Sequence, residues 1–202
     1  MIAVIDYGVG NLFSVEKALI ASGGEVAVTN NADTIKNADK LVLPGVGAFG
    51  DCMKQLEATN LVDTVKNEVA KGKPLLGICV GLQLLFEESE ESEGVRGLAL
   101  LPGKIKKIDA TGEKIPHMGW NSLDISENTG KTNLFNGLSS NPYVYFVHSF
   151  HAVCEPSLIS ATCDYGGKIT AAVQKENIVA TQFHPEKSGD VGINILKNFV
   201  EG

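Results

Sequence analysis

The chain has 202 residues, with 24 Asp and Glu against 17 Lys and Arg, for a formal charge of −7. That length suits one α/β domain, read as a single unit over 1–202, and the 44% apolar fraction is ordinary for a chain with a sizeable core. The mild acidity without a basic block argues against nucleic acid as a partner, and no apolar run is long enough to span a bilayer, so no membrane partner is expected either.

Ile2–Asp6 reads as a first strand, followed by the glycine-rich turn Tyr7-Gly8-Val9-Gly10-Asn11 and an amphipathic helix over Leu12–Ala21 closed by Gly23-Gly24. The opening stretch has no basic n-region and meets Asp6 too early for a signal peptide. Glu25–Thr29 is the second strand, Asp33–Ala38 a short helix and Lys40–Leu43 the third strand. After Pro44-Gly45-Val46-Gly47-Ala48-Phe49-Gly50, a helical stretch runs from Asp51 to Lys71 with a break near Thr59-Asn60. Strands alternating with helices predict a mostly parallel sheet covered on both faces. The acidic stretch Glu87–Glu93 reads as a solvated loop. Beyond it the pattern turns β-rich: Lys104–Ile108, Asn121–Ile125, Tyr143–Val147, Ile159–Asp164, Thr170–Lys175 and Ile178–Gln182, with a hairpin turn at Glu176-Asn177 and a last helix over Val191–Val200.

The chemistry centres on Pro74–Phe86. A buried strand after Gly72-Lys73-Pro74 passes into a helix carrying Leu82, Leu85 and Phe86, and between them lies Gly77-Ile78-Cys79-Val80-Gly81. A Cys with a glycine two residues away on each side fits a sharp strand-to-helix turn that holds the side chain out at the top of a sheet. There the helix N-terminus favours the thiolate, and the N–H of Val80 points to where an oxyanion would form. The pentapeptide alone also fits a buried, inert thiol. Four widely spaced cysteines with no Cys-x-x-Cys pair disfavour a disulfide framework or a zinc ribbon, and a reducing cytoplasm is the expected setting. Cys52, Cys154 and Cys163 lack the glycine setting and read as small core hydrophobes.

Gly45-Val46-Gly47-Ala48-Phe49-Gly50 matches the dinucleotide-binding glycine spacing. However, Asp51 would sit beside the pyrophosphate, and no ribose-binding acid follows at the next strand end. The loop is better read as facing Cys79 and completing an oxyanion hole, so no nucleotide cofactor is expected. A thiolate nucleophile needs a base and a group to orient that base. Of His117, His148, His151 and His184, only His184 follows a strand and has a carboxylate, Glu186, two residues on. In an extended segment that spacing puts both on one side, so Glu186 can hold one ring nitrogen while the other faces Cys79. No third ligand at suitable spacing accompanies them, so no metal is expected.

Cys79, His184 and Glu186, in that order, resemble the triad of the class I glutamine amidotransferases. Asp6-Tyr7-Gly8-Val9-Gly10-Asn11, Leu43-Pro44-Gly45-Val46-Gly47, Pro116-His117-Met118-Gly119-Trp120-Asn121, Phe146-Val147-His148-Ser149-Phe150 and Gln182-Phe183-His184-Pro185-Glu186-Lys187 narrow the likeness to that family's imidazole glycerol phosphate synthase branch. The resemblance implies a flavodoxin-like α/β fold and hydrolysis of L-glutamine through a cysteine thioester. It implies a (β/α)₈-barrel cyclase as heterodimeric partner, receiving ammonia during histidine synthesis. By the same resemblance, Gly45, Val46, Gly47 and Val80 form the oxyanion hole, and Gln83, His148 and Ser149 hold the substrate. Tyr7, Asn11, Met118, Trp120 and Asn121 would face the partner. A glutaminase of another synthase, a γ-glutamyl hydrolase and a flavodoxin-like binding module remain open as alternatives.

Overall fold

The computed structural model describes residues 1–126 and 134–202. The first half alternates as expected: β1 (Ile2–Ile5), α1 (Leu12–Ala21), β2 (Val26–Thr29), α2 (Ala32–Asn37), β3 (Lys40–Gly45), α3 (Phe49–Ala58), α4 (Val62–Ala70), β4 (Leu75–Cys79) and the short α5 (Val80–Leu84). The second half holds β5 (Glu88–Ser89), β6 (Lys104–Lys107), β7 (His117–Ser122), β8 (Asp124–Ile125), β9 (Tyr143–His148), β10 (Phe150–Val153), β11 (Ile159–Asp164), β12 (Lys168–Lys175), β13 (Ile178–Thr181) and α6 (Gly189–Glu201).

The main sheet has the order β2-β1-β3-β4-β13-β12-β11-β8. Its first five members run parallel, and β12, β11 and β8 continue it antiparallel. The strands β1, β3 and β4 are near-continuous apolar runs, which is what burial on both faces demands. The chain moves outward from β1 to β2 and then back across to β3. With right-handed crossovers, that reversal puts α1 and α2 on opposite faces. Accordingly α1 packs with α6, and α2 with α4. Local chemistry sets the helix starts: Asn11 Oδ1 accepts from the Ser14 N–H, and Asn31 Oδ1 from the N–H groups of Asp33 and Thr34. A buried cluster extends from Ile2 to Phe199. Each fully buried Leu, Ile or Phe contributes about 1.5–3 kcal/mol, whereas an exposed, solvent-screened ion pair such as Lys104–Glu88 contributes little. The central strands therefore hold the fold. No helix among the described residues is long and apolar enough to cross a membrane.

Three sequence expectations need correction, and one strand is added to them. The acidic stretch is not simply a solvated loop. Glu88–Ser89 pairs in parallel with β6, Ser89 is buried, and Glu91 accepts the Phe49 N–H at 2.7 Å, closing the start of α3. The helix after Cys79 stops at Leu84, because the carbonyls of Leu84, Leu85 and Phe86 accept from Leu98, Leu100, Leu101 and Ala99 instead of from a next turn. The predicted strand Asn121–Ile125 splits at Leu123 between two sheets, β7 pairing with β9 and β8 with β11. Phe150–Val153, left without an assignment in the sequence, pairs with β6.

The tightest point is the turn after β4. A Cβ on Gly81 would lie 1.9 Å from the Leu43 carbonyl oxygen, and one on Gly45 would lie 2.7 Å from the Gly81 nitrogen. The elbow and the end of β3 meet backbone to backbone. Gly81→Ala is expected to destabilise the fold by about 3 kcal/mol or more. Gly72→Ala has open space and only a φ of +94° to contend with, and is expected to cost about 1 kcal/mol. Urea denaturation of both variants checks the ranking.

Candidate active site

Parallel register delivers the candidate residues to one edge. Gly45 at the end of β3 pairs with Cys79 at the end of β4, and Thr181 at the end of β13 pairs with Ile78. The loops after three neighbouring strands thus open together at their carboxyl ends, the usual ligand-binding edge of an open α/β sheet. Cys79 sits at φ +56°, ψ −112°, an unfavourable conformation for a residue with a Cβ. On either side of it, Gly45 and Gly81 approach the neighbouring backbone too closely for a Cβ. Val80 follows as the first residue of α5, so its N–H has no intrahelical acceptor.

His184 lies just beyond β13. Its N–H donates to the Tyr145 carbonyl at 3.0 Å, and its carbonyl accepts from Ser188 Oγ at 2.6 Å, so the backbone is held from both sides. Its Nδ1 lies 2.7 Å from Glu186 Oε1, with the two side chains only 2% and 1% exposed. Burial alone would favour the neutral ring, but Cys79 and Glu186 outweigh it and raise the imidazole to about 9. Nε2 is buried with no formed hydrogen-bond partner. Cys79 is thus near enough to raise the ring through its sulfur, although the Sγ–Nε2 geometry falls short of a well-formed hydrogen bond. Catalytic hydrogen bonds commonly tighten only around a substrate. A buried, unpaired ring nitrogen opposite a carboxylate-held one has the form of a proton carrier.

A cleft of about 400 Å³ lies over these groups, lined by Val46, Gly47, Cys79, Val80, Gln83, His148, Ser149 and His184 among others. Most of the residues singled out in the sequence therefore share one wall. Gly47, at φ +94°, turns the loop over the cleft mouth. From beneath, Cys52 donates to the Val46 carbonyl at 3.3 Å and Tyr7 donates to the Pro44 carbonyl at 2.6 Å. Gln83 is buried and donates to the Phe150 carbonyl and to Gln182 Oε1. Sequence reasoning missed Glu91, which lines the cleft while one carboxylate oxygen accepts the Phe49 N–H, because it lay in a run that reads as solvent-facing. It also missed Gln182, whose side chain reaches Cys79 Sγ at 3.8 Å. Among the described residues no group of His, Cys, Asp and Glu has the arrangement of a metal site.

The residues expected to face a partner divide. Met118 and Trp120 are 61% and 56% exposed on β7, on the same side as the exposed Tyr143 of β9. Asn11 is exposed but caps α1, and Asn121 is half-buried and donates to the Asp164 carbonyl at 2.8 Å. Tyr7 contradicts the expectation: it is 2% exposed, because the turn after β1 folds its ring under the end of β3. It supports the loop and cannot present a docking face.

Over residues 3–202 the chain matches the family described as glutamine amidotransferase class-I. It is 50% identical to the imidazole glycerol phosphate synthase subunit HisH of Syntrophotalea carbinolica over 206 residues, covering 98% of each chain. It is also 50% identical to the subunit of that name from Methanothermobacter thermautotrophicus, covering 100% of this chain and 98% of the relative. Among solved structures, PurLQS from Thermotoga maritima superposes with a TM-score of 0.77 at 20% identity, covering 99% of this chain and 97% of that one. This last likeness concerns the fold.

Beside the cleft lies a second histidine pair. His117 Nδ1 and His148 Nε2 are 3.0 Å apart, and the His117 ring stacks between Tyr165 and Phe146 at 4.0 and 4.6 Å. Burial depresses His117 to about 4 and His148 to about 3, against the usual 6.5. Both are neutral near pH 7. On unfolding below pH 6.5 they take up protons that the fold refuses, so their contribution is intact above 6.5 and declines as pH falls toward 4. Each such group contributes a slope of up to about 1.4 kcal/mol per pH unit. His117→Phe, which keeps the stack, is expected to reduce the pH dependence of unfolding between 6.5 and 4 by about one proton. Denaturant melts across that window test it, and an unchanged slope would show His117 to be freely protonated in the fold.

Proposed function

We propose, for a chain that belongs to the class I glutamine amidotransferase family and groups within it with the HisH subunits of imidazole glycerol phosphate synthase, that Cys79, His184 and Glu186 hydrolyse L-glutamine. The observation that carries this reading is the convergence of a strained cysteine and a carboxylate-held histidine on one cleft at adjacent strand ends. The protein is a glutamine amidotransferase of histidine biosynthesis, acting with a cyclase subunit.

Cys79 Sγ attacks the side-chain amide carbon. A C–S bond forms, and the carbonyl electrons move onto oxygen. The N–H of Val80 and the loop over Gly45, Val46 and Gly47 stabilise that oxyanion; one preorganised donor of this kind is worth about 3–4 kcal/mol of barrier. The imidazolium of His184, kept protonated to about pH 9, gives its proton to the departing nitrogen as the C–N bond breaks and ammonia leaves. Neutral His184 then takes a proton from water, which attacks the thioester and releases glutamate, restoring the sulfur. Glu186 holds the ring in place throughout. Gln83, His148 and Ser149 line the pocket for the amino acid, and Glu91 offers a carboxylate to its ammonium group.

Ammonia released into water is mostly protonated and no longer nucleophilic, so the reaction calls for a partner docked against the site. The exposed Met118 and Trp120 on β7, one strand away from the His184 anchor on β9, suit that surface. We assign the partner a (β/α)₈-barrel fold on the strength of the family resemblance.

Ammonia release from glutamine, measured with and without the cyclase subunit, is expected to rise on addition of the partner. It is expected to fall by roughly a thousandfold or more in Cys79→Ser. A fully active Cys79→Ser would dispose of the mechanism. Trp120→Ala is expected to weaken cyclase binding by about 2 kcal/mol, or roughly thirtyfold in Kd. Unaltered affinity by titration calorimetry would remove β7 from the interface.

A further inference from the structure

We propose that Gln182 is a catalytic residue, its side-chain N–H donating to Cys79 Sγ and holding the sulfur as thiolate. The proposal rests on the reading of Cys79 as nucleophile. Gln182 is fully buried at 0% exposure, an unusual place for a glutamine unless its amide is satisfied. Its Nε2 lies 3.8 Å from Sγ, and its Oε1 accepts from Gln83 Nε2 at 3.1 Å. Its backbone N–H donates to the Ala171 carbonyl at 2.8 Å, which ties the side chain's root to β12.

The direction of the bond to sulfur follows from a group that cannot be reversed. The Phe150 backbone carbonyl can only accept. Gln83 faces it at 3.3 Å, so that end of the Gln83 amide is its NH₂. The same NH₂ faces Gln182, so Gln182 presents oxygen to Gln83 and therefore NH₂ to the sulfur. The Phe150 carbonyl fixes a second arm in the same way. His148 Nδ1 donates to it at 2.8 Å, leaving Nε2 to accept from His117 Nδ1, whose own Nε2 faces the Asn121 amide at 3.3 Å. One acceptor thus orients polar groups from β7 to the nucleophile.

A donor to a buried sulfur favours the anion, because a charge-assisted hydrogen bond is the stronger one and an unpaired buried charge is costly. Other groups also act on this thiol. His184 faces it from beyond β13 with Glu186 behind. Tyr7 from the turn after β1 and Cys52 from α3 lie within electrostatic reach, and His148, Glu91 and Lys187 line the same cleft. Gln182 differs from all of these in being a neutral donor that touches the reacting atom.

The test is the pH dependence of Cys79 alkylation by iodoacetamide, followed on the Cys79 peptide by mass spectrometry. In Gln182→Met, which keeps the length and removes the donor, the midpoint is expected to rise by about one pH unit. The rate at pH 7 and kcat for ammonia release are expected to fall roughly tenfold, with KM for glutamine within about twofold. A midpoint at the wild-type value with kcat retained overturns the proposal. If Gln182→Met does not fold, Gln182→Leu, smaller and equally without a donor or a charge, takes its place, and an unmoved midpoint there overturns it equally. Wild-type Cys79 that neither alkylates nor releases ammonia would instead remove the nucleophile reading itself.

Discussion

The site depends on a backbone contact that leaves no room for a side chain. Where β4 turns into α5, Gly81 lies against the Leu43 carbonyl and Gly45 against the Gly81 nitrogen. This closeness bends Cys79 into its strained conformation and brings the loop after β3 beside it. The parallel sheet makes the contact possible by setting β3 and β4 side by side with their ends level. The strain is modest, of order 1–3 kcal/mol, and the almost wholly buried strands on either side can sustain it.

What was legible in the sequence follows from how local each signal was. The alternation of the first half and the elbow could be read because propensity, glycine placement and apolar runs all act over a few residues. The His184–Glu186 spacing could be read for the same reason, and the two side chains do meet at 2.7 Å. Features set by distant contacts could not be read. Tyr7 looked like part of an exposed turn, and only the fold tucks it under Pro44. Glu91 looked like one of several solvated acids, and its place at the cleft follows from pairing β5 with β6. Gln182 ended an apolar strand with nothing local to say that its amide would find the thiol. The splitting at Leu123 was hidden because adjacent residues join different sheets.

Two kinds of histidine environment stand side by side, and burial alone does not distinguish them. His184 is buried against a carboxylate and a thiol and is held protonated; His117 and His148 are buried against each other and aromatic rings and are held neutral. The partners decide the charge. The first arrangement suits proton transfer to a departing amine. The second suits a fixed scaffold of donors and acceptors whose polarity does not change near neutral pH.

The hydrogen bond from the His184 N–H to the Tyr145 carbonyl has a mechanical side. Tyr145 belongs to a two-stranded ribbon whose outer face, with Met118 and Trp120, is left bare. Its inner face is seated on the core through Val144 and Phe146. The imidazole is therefore carried at once by the eight-stranded sheet and by the back of an exposed surface, so a single peptide group separates that surface from the ring.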